Sequence, residues 1–203
     1  MKLFRAEAIT ETLLRMDSRG ARLTMRLPVN VPFIIDNLWE HLRPDHMPCR
    51  RHAVFASPSP SQALNSASTS DKGLGVGVYE LVFTGPVKWA QLQVKDARFH
   101  EDLKVIVGKL PALINEKATG PAGRQEAAML FLPGATKANW SELAASSPVA
   151  ADLIAAMASL STFWRQASAI VSPGEGEIFC ELGAGASYTP RNLLRPADVL
   201  QGA

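Results

Sequence analysis

The sequence predicts an α+β fold. Three observations carry that reading: strand-like apolar segments at both ends of the chain, helical spacing of apolar residues between them, and no regular strand–helix–strand series. With 203 residues, 47% of them hydrophobic and 20% charged, the chain suffices for one domain spanning 1–203, with room for a small appendage.

The elements follow in order. Leu3 to Ala6 is a short apolar start read as a strand, and a mixed segment leads to Arg19-Gly20. Ala21 to Leu27 alternates Leu23, Met25 and Leu27 against Arg22, Thr24 and Arg26, the pattern of a second strand. Pro28 and Pro32 break the chain, and Asp36 is placed to cap a short helix from Asn37 to Leu42. Arg43 to Arg51 reads as an irregular basic arm. His52 to Ser57 is a compact strand stopped by Pro58, after which Ser57 or Ser59 caps a helix running to Ala67. Ser66 to Gly77 is a small, polar loop. Val78 to Phe83 and Val87 to Val94 alternate on either side of Thr84-Gly85-Pro86, a hairpin-like signal. Phe99 to Ile114 has helical spacing, Lys117 to Gly123 reads as a loop, and Glu126 to Leu132 is short and apolar. Ser147-Pro148 opens the strongest helix, Val149 to about Ala167, with Leu153, Met157, Leu160 and Trp164 on its apolar face. Ile178 to Leu182 and Ala186 to Thr189 close the chain as strands around Gly183-Ala184-Gly185.

A net charge of +2 gives no whole-chain argument for nucleic acid. No segment has the length of a membrane span, since Asp152 interrupts the longest apolar stretch, Val149 to Ala158. Met1 to Arg5 lacks the apolar region of a signal peptide, and two cysteines, Cys49 and Cys180, are too few for a disulfide framework. A cytoplasmic protein is expected. Gly73, Gly75 and Gly77 follow no strand and do not form a dinucleotide-binding fingerprint.

The most informative motif is Glu175-Gly176-Glu177 ahead of Ile178-Phe179-Cys180. Two acids one residue apart on a strand share a face. Alone, such a pair is a solvated strand edge. Placed in a site, it serves chemistry that stabilises a developing cation while orienting or deprotonating a nucleophile. Two further residues complete a series in chain order: Arg5 in the first strand and Ser57 ending a central one.

That series, with Leu3-Phe4-Arg5-Ala6, Val54-Phe55-Ala56-Ser57-Pro58-Ser59 and Glu175-Gly176-Glu177-Ile178-Phe179, resembles the arginine–serine–glutamate pattern of toxin-type mono-ADP-ribosyltransferases. The resemblance covers about twenty residues in detail. It departs where the family's serine-threonine-serine becomes Ala56-Ser57-Pro58-Ser59, and in the segment from Arg22 to Arg51, which has no counterpart. It implies two small mixed sheets with peripheral helices, and NAD as substrate. It also implies Arg5 on the NAD phosphates, Ser57 supporting the nicotinamide pocket, Glu177 catalytic at the ribose, and Glu175 directing transfer to a protein acceptor, arginine among the options. NAD cleavage passes through an oxocarbenium-like ribose that a fixed carboxylate stabilises, and arginine grips a pyrophosphate as lysine does not. The same parts suit an NAD glycohydrolase. A different class of reading is a non-catalytic interaction protein of a phage or mobile element.

Two other constellations stand out. His41, His46, Cys49 and His52 are competent zinc ligands, but their spacing matches no familiar finger and Arg43, Arg50 and Arg51 would repel a cation, so no metal is expected. Arg50, Arg51 and His52 form a basic arm able to make a second phosphate contact. With Arg43 they could also meet nucleic acid, although only Trp39 and Phe55 lie near for stacking. His100 reads as a surface helix start and Cys180 as a small buried residue.

Overall fold

The computed structural model describes residues 2–67, 75–174 and 176–201. In chain order its elements are β1 (Leu3–Ala8), α1 (Glu11–Leu14), β2 (Arg19–Gly20), α2 (Phe33–His41), β3 (Val54–Ala56), α3 (Pro60–Asn65), β4 (Val76–Thr84), β5 (Val87–Gln91), α4 (Glu101–Lys117), α5 (Gly120–Ala128), α6 (Lys137–Ser146), α7 (Pro148–Leu160), α8 (Phe163–Gln166), β6 (Ile178–Leu182), β7 (Ser187–Leu194) and α9 (Pro196–Gln201). The fold class is α+β. The contacts gather into two compact units: Met1–Thr24, His46–Asp96 and Ala167–Ala203 form the first, and Met25–Asp45 with Ala97–Gln166 form the second.

The first unit holds all the described strands, in a four-stranded sheet ordered β1-β4-β7-β2 and a three-stranded sheet ordered β3-β6-β5. Every strand pairing is antiparallel, which corrects the expectation of mixed sheets. The hairpin signal at Thr84-Gly85-Pro86 also resolves differently. β4 pairs with β7 and β5 with β6, so the segment turns from one sheet into the other instead of folding back on itself. The turn between β6 and β7 does the same beside it, where the Gly183 amide donates to the Pro86 carbonyl at 2.9 Å.

Side chains from both sheets meet in one apolar cluster: Leu3, Ala56, Tyr79, Leu81, Ile178, Cys180, Leu182 and Tyr188. Alternation along the strands places these on one face, and each large buried side chain contributes roughly 1.5–3 kcal/mol. The opposite face of β1 and β4 packs under α3 and α9, through Ala63, Val78 and Val199 with Phe4, Ala6, Leu64 and Leu194 against them. The α3 helix starts as expected, with Ser59 accepting from the Gln62 amide and Pro60 in its first turn.

The second unit is helical. Ile34, Ile35, Leu38 and Trp39 of α2, Ile106 and Leu110 of α4, Trp140 of α6 and Leu153, Ile154 and Met157 of α7 are buried in it. Trp39 stacks on Phe163 with centroids 4.0 Å apart. Asp102, wholly buried, accepts from the Trp39 indole at 2.8 Å, the Ser161 hydroxyl at 2.5 Å and the Thr162 amide at 2.9 Å. These bonds end α7 at Leu160, so the helix expected through Ala167 is two, with α8 beginning at Phe163. His100 does start α4, accepting from the Asp102 amide, but it is buried rather than on the surface.

Ala21 to Leu27 is not a strand; β2 is only Arg19–Gly20, and Leu23 is 94% exposed. Asp36 lies inside α2, which begins after Pro32. No described helix is long and apolar enough to cross a membrane.

Candidate functional site

β1, which carries the arginine, β3, which the serine follows, and β6, which the acid precedes, are neighbours in the first unit. β3 pairs with β6 through Val54–Cys180, Phe55–Phe179 and Ala56–Ile178; the pairing ends there, with Ser57 the residue after β3 and Glu177 the residue before β6. On its other side Ser57 bridges Phe4 of β1, with backbone hydrogen bonds of 2.8 and 2.9 Å in the two directions. Ser57 is buried, and being opposite Phe4 it shares that residue's face. Arg5, one residue on, projects from the other face of β1. The bridge therefore joins the arginine strand to the serine strand but does not put the two side chains on one face.

Arg5 instead reaches along the inner face. Its Nη1 donates to the Phe55 carbonyl at 3.1 Å, across the gap where β1 and β3 diverge, and its Nε donates to Glu7 Oε1 at 3.0 Å. Glu7 shares a face with Arg5 because they are two residues apart on β1. A second arginine, Arg19, donates through Nη1 to both Glu7 oxygens at 3.0 and 2.9 Å and approaches the Tyr188 hydroxyl at 3.5 Å. Tyr79, paired with Arg5 across the sheet, is fully buried beside them.

Burial opposes the charge on Arg5, but Tyr79, Glu7 and Tyr188 outweigh it and hold the guanidinium above its ordinary value. Burial also pushes the Glu7 carboxyl up, and Arg5, Tyr79 and Arg19 pull it further down, to below the usual range. The Tyr79 phenol and the Cys180 thiol are both pushed well up by burial, which leaves Cys180 an inert core residue as expected. Sequence reasoning missed Glu7, Arg19, Tyr79 and Tyr188. The i, i+2 spacing of Arg5 and Glu7 was the available signal; the others depend on strand pairing.

The acid segment is fixed from the β5 side. The Leu92 amide donates to the Glu177 carbonyl and the Glu177 amide to the Val94 carbonyl, each at 2.9 Å. The buried Gln91 side chain binds the preceding loop, donating to the Ser172 and Gly174 carbonyls at 3.2 and 3.3 Å and accepting from the Ser172 amide at 2.7 Å. Glu177 is half-buried; Glu175 lies outside the described residues.

The basic arm is fastened down rather than solvated. The Cys49 amide donates to Glu181 Oε2 at 2.9 Å, and the Arg50 guanidinium lies over the rings of Phe55 and Phe179 at 5.7 and 5.1 Å. Phe55 and Phe179 are themselves in edge contact across β3 and β6, so Arg50 caps an aromatic pair. Arg51 is buried and His52 half-buried. Arg43 belongs to the second unit and pairs with Glu40 at 3.0 Å. His41 also belongs to that unit, whereas His46, Cys49 and His52 belong to the first. Among the described residues no three His, Cys, Asp or Glu side chains gather where they could hold a metal ion.

Compared with protein-family models, with curated proteins and with solved structures, the chain finds no match in any of the three.

Proposed function

We propose that the first unit transfers ADP-ribose from NAD to a protein acceptor in the cytoplasm, releasing nicotinamide. What supports this reading is the adjacency of β1, which carries Arg5, β3, which Ser57 follows, and β6, which Glu177 precedes, three strands from distant parts of the chain. The chemistry assigned to each residue follows from its type. Arg5 binds the NAD phosphates, and the Ser57 segment supports the nicotinamide end. Glu177 stabilises positive charge on the ribose as its bond to the nicotinamide nitrogen breaks. Glu175 orients the acceptor and takes its proton as the new bond to ribose forms. In this reading Arg50, Arg51 and His52 supply further phosphate contacts from the arm.

A second reading is a non-catalytic binding protein, in which these polar groups hold a partner of a phage or mobile element. It is favoured by the placement of Arg5 on the face opposite Ser57. The deciding assay is nicotinamide release from NAD by the purified protein, beside incorporation of labelled ADP-ribose in cell extract. Release and incorporation support the transferase, release alone an NAD glycohydrolase, and neither the binding protein.

A further inference from the structure

We infer that Arg5 and Arg19 form a two-arginine site for a phosphorylated ligand, and that Glu7 is an internal anion with which that ligand competes. Arg5 Nε and Arg19 Nη1 each lie 3.0 Å from the same oxygen, Glu7 Oε1, so the two guanidiniums stand within two hydrogen-bond lengths of each other. Two like charges held so close are stabilised by an anion between them, and one carboxylate neutralises only half of the pair. The surplus is one positive charge.

Unused donors accompany that charge. Among the described residues, Arg5 Nη2 and Arg19 Nε and Nη2 have no hydrogen-bond partner. Guanidinium donors in this fork arrangement match the oxygens of a phosphate, which offers more acceptors than the carboxylate already present. Tyr79 adds a further polar group to the cluster: its hydroxyl is buried beside Arg5 and interacts with the Glu7 carboxylate, so a ligand that draws Glu7 aside frees a buried donor as well. The cluster is still open to solvent, with the Arg5, Glu7 and Arg19 side chains 22%, 23% and 24% exposed.

Glu7 gives the site its particular character. Its carboxylate holds both guanidiniums in place before a ligand arrives, which lowers the ordering cost of binding, but its charge repels the incoming anion. A ligand with two linked phosphates could bridge the arginines from their free edges without displacing Glu7 from both. The site shares Arg5 with the transferase reading, yet requires no bond cleavage and stands or falls separately.

The test is calorimetric titration with inorganic phosphate, pyrophosphate and ADP-ribose at low salt, on the parent, Arg19→Lys and Glu7→Gln, with thermal melts of each. Pyrophosphate and ADP-ribose are expected to bind the parent more tightly than inorganic phosphate. Arg19→Lys, which keeps the charge but loses the fork, should weaken pyrophosphate several-fold with little change in melting temperature. Glu7→Gln should tighten it by about tenfold, because one repelling charge is removed at contact distance. Absence of pyrophosphate binding to the parent overturns the inference. So does binding that Arg19→Lys leaves unchanged, or that a folded Glu7→Gln weakens. Should Glu7→Gln fail to fold, the Arg19→Lys comparison decides. Pyrophosphate binding without nicotinamide release would leave this site intact and remove the transferase.

Discussion

A β-carbon on Gly176 would stand 1.8 Å from the carbonyl oxygen of Leu92. The backbone at Gly176 has φ +150, which side-chain-bearing residues rarely adopt, so glycine is required there for both conformation and space. This is the residue between the two acids, and its close approach to Leu92, just past the end of β5, sets how Glu177 leads into β6. Gly176→Ala should therefore destabilise the protein by roughly 3 kcal/mol and move the acid segment off β5. Chemical denaturation reads the first effect, and amide exchange at Leu92 and Glu177 the second. A variant with parental stability and protection would remove this role.

Gln91 should act on the same segment more gently. Gln91→Ala removes the amide that holds Ser172 and Gly174, but both are exposed and can be rehydrated. Global stability should fall by only about 1 kcal/mol, while amides from Ser168 to Gly174 lose protection. Uniform loss of protection throughout the protein would show instead that Gln91 supports the whole sheet.

Asp102 predicts an acid-sensitive second unit. Burial raises its pKa, and its contacts with His100, Ser161, Thr162 and Trp39 overcome this and hold the carboxyl far below the ordinary aspartate value. A folded pKa below the unfolded one contributes stability that is present above about pH 4 and is lost as pH falls toward the folded value. Asp102→Asn should cost about 2–4 kcal/mol at pH 7, and its deficit should shrink as pH drops below about 4. Denaturation curves of parent and variant from pH 7 to pH 2 check it; a deficit independent of pH would place the effect in packing, not charge.

The two glutamates of the acid segment divide the proposed chemistry. Glu177→Gln should lower both nicotinamide release and ADP-ribose transfer by at least about 100-fold. Glu175→Gln should lose transfer but retain release, since water can replace a misoriented acceptor. Both should fold. Equal effects would remove the division of labour, and full activity of Glu177→Gln would remove the catalytic assignment.

Local patterns were readable where one strand or cap set them. β1, the Ser59 cap with Pro60, and β6 followed from alternation and capping chemistry within a few residues. Ala21 to Leu27 failed because alternation creates a strand only where a neighbouring strand accepts its backbone. α6 was missed because Trp140 is its single buried side chain, although the Thr136–Asn139 capping box was there to be read. At the candidate site, Arg5 was visible as a strand arginine. Arg19 was not, since its link to Glu7 arises only once the chain brings β1 and the β2 segment together. Arg51 illustrates the opposite case: charge made it part of a basic arm able to meet a phosphate, and packing buried it.

The chain passes between its two units at Thr24, Asp45, Asp96 and Gln166. On a ribosome this ordering has a temporal meaning. Every described helix of the second unit is synthesised before β6 and β7, whereas β3 and β5 must wait for β6 as their partner, and β4, already able to pair with β1, waits for β7 on its other edge. Helical contacts form early and non-local strand pairing forms slowly. The nascent β unit therefore carries unpaired strand edges until the final segment arrives, and it is during that interval that this protein is most exposed to aggregation and most dependent on chaperones.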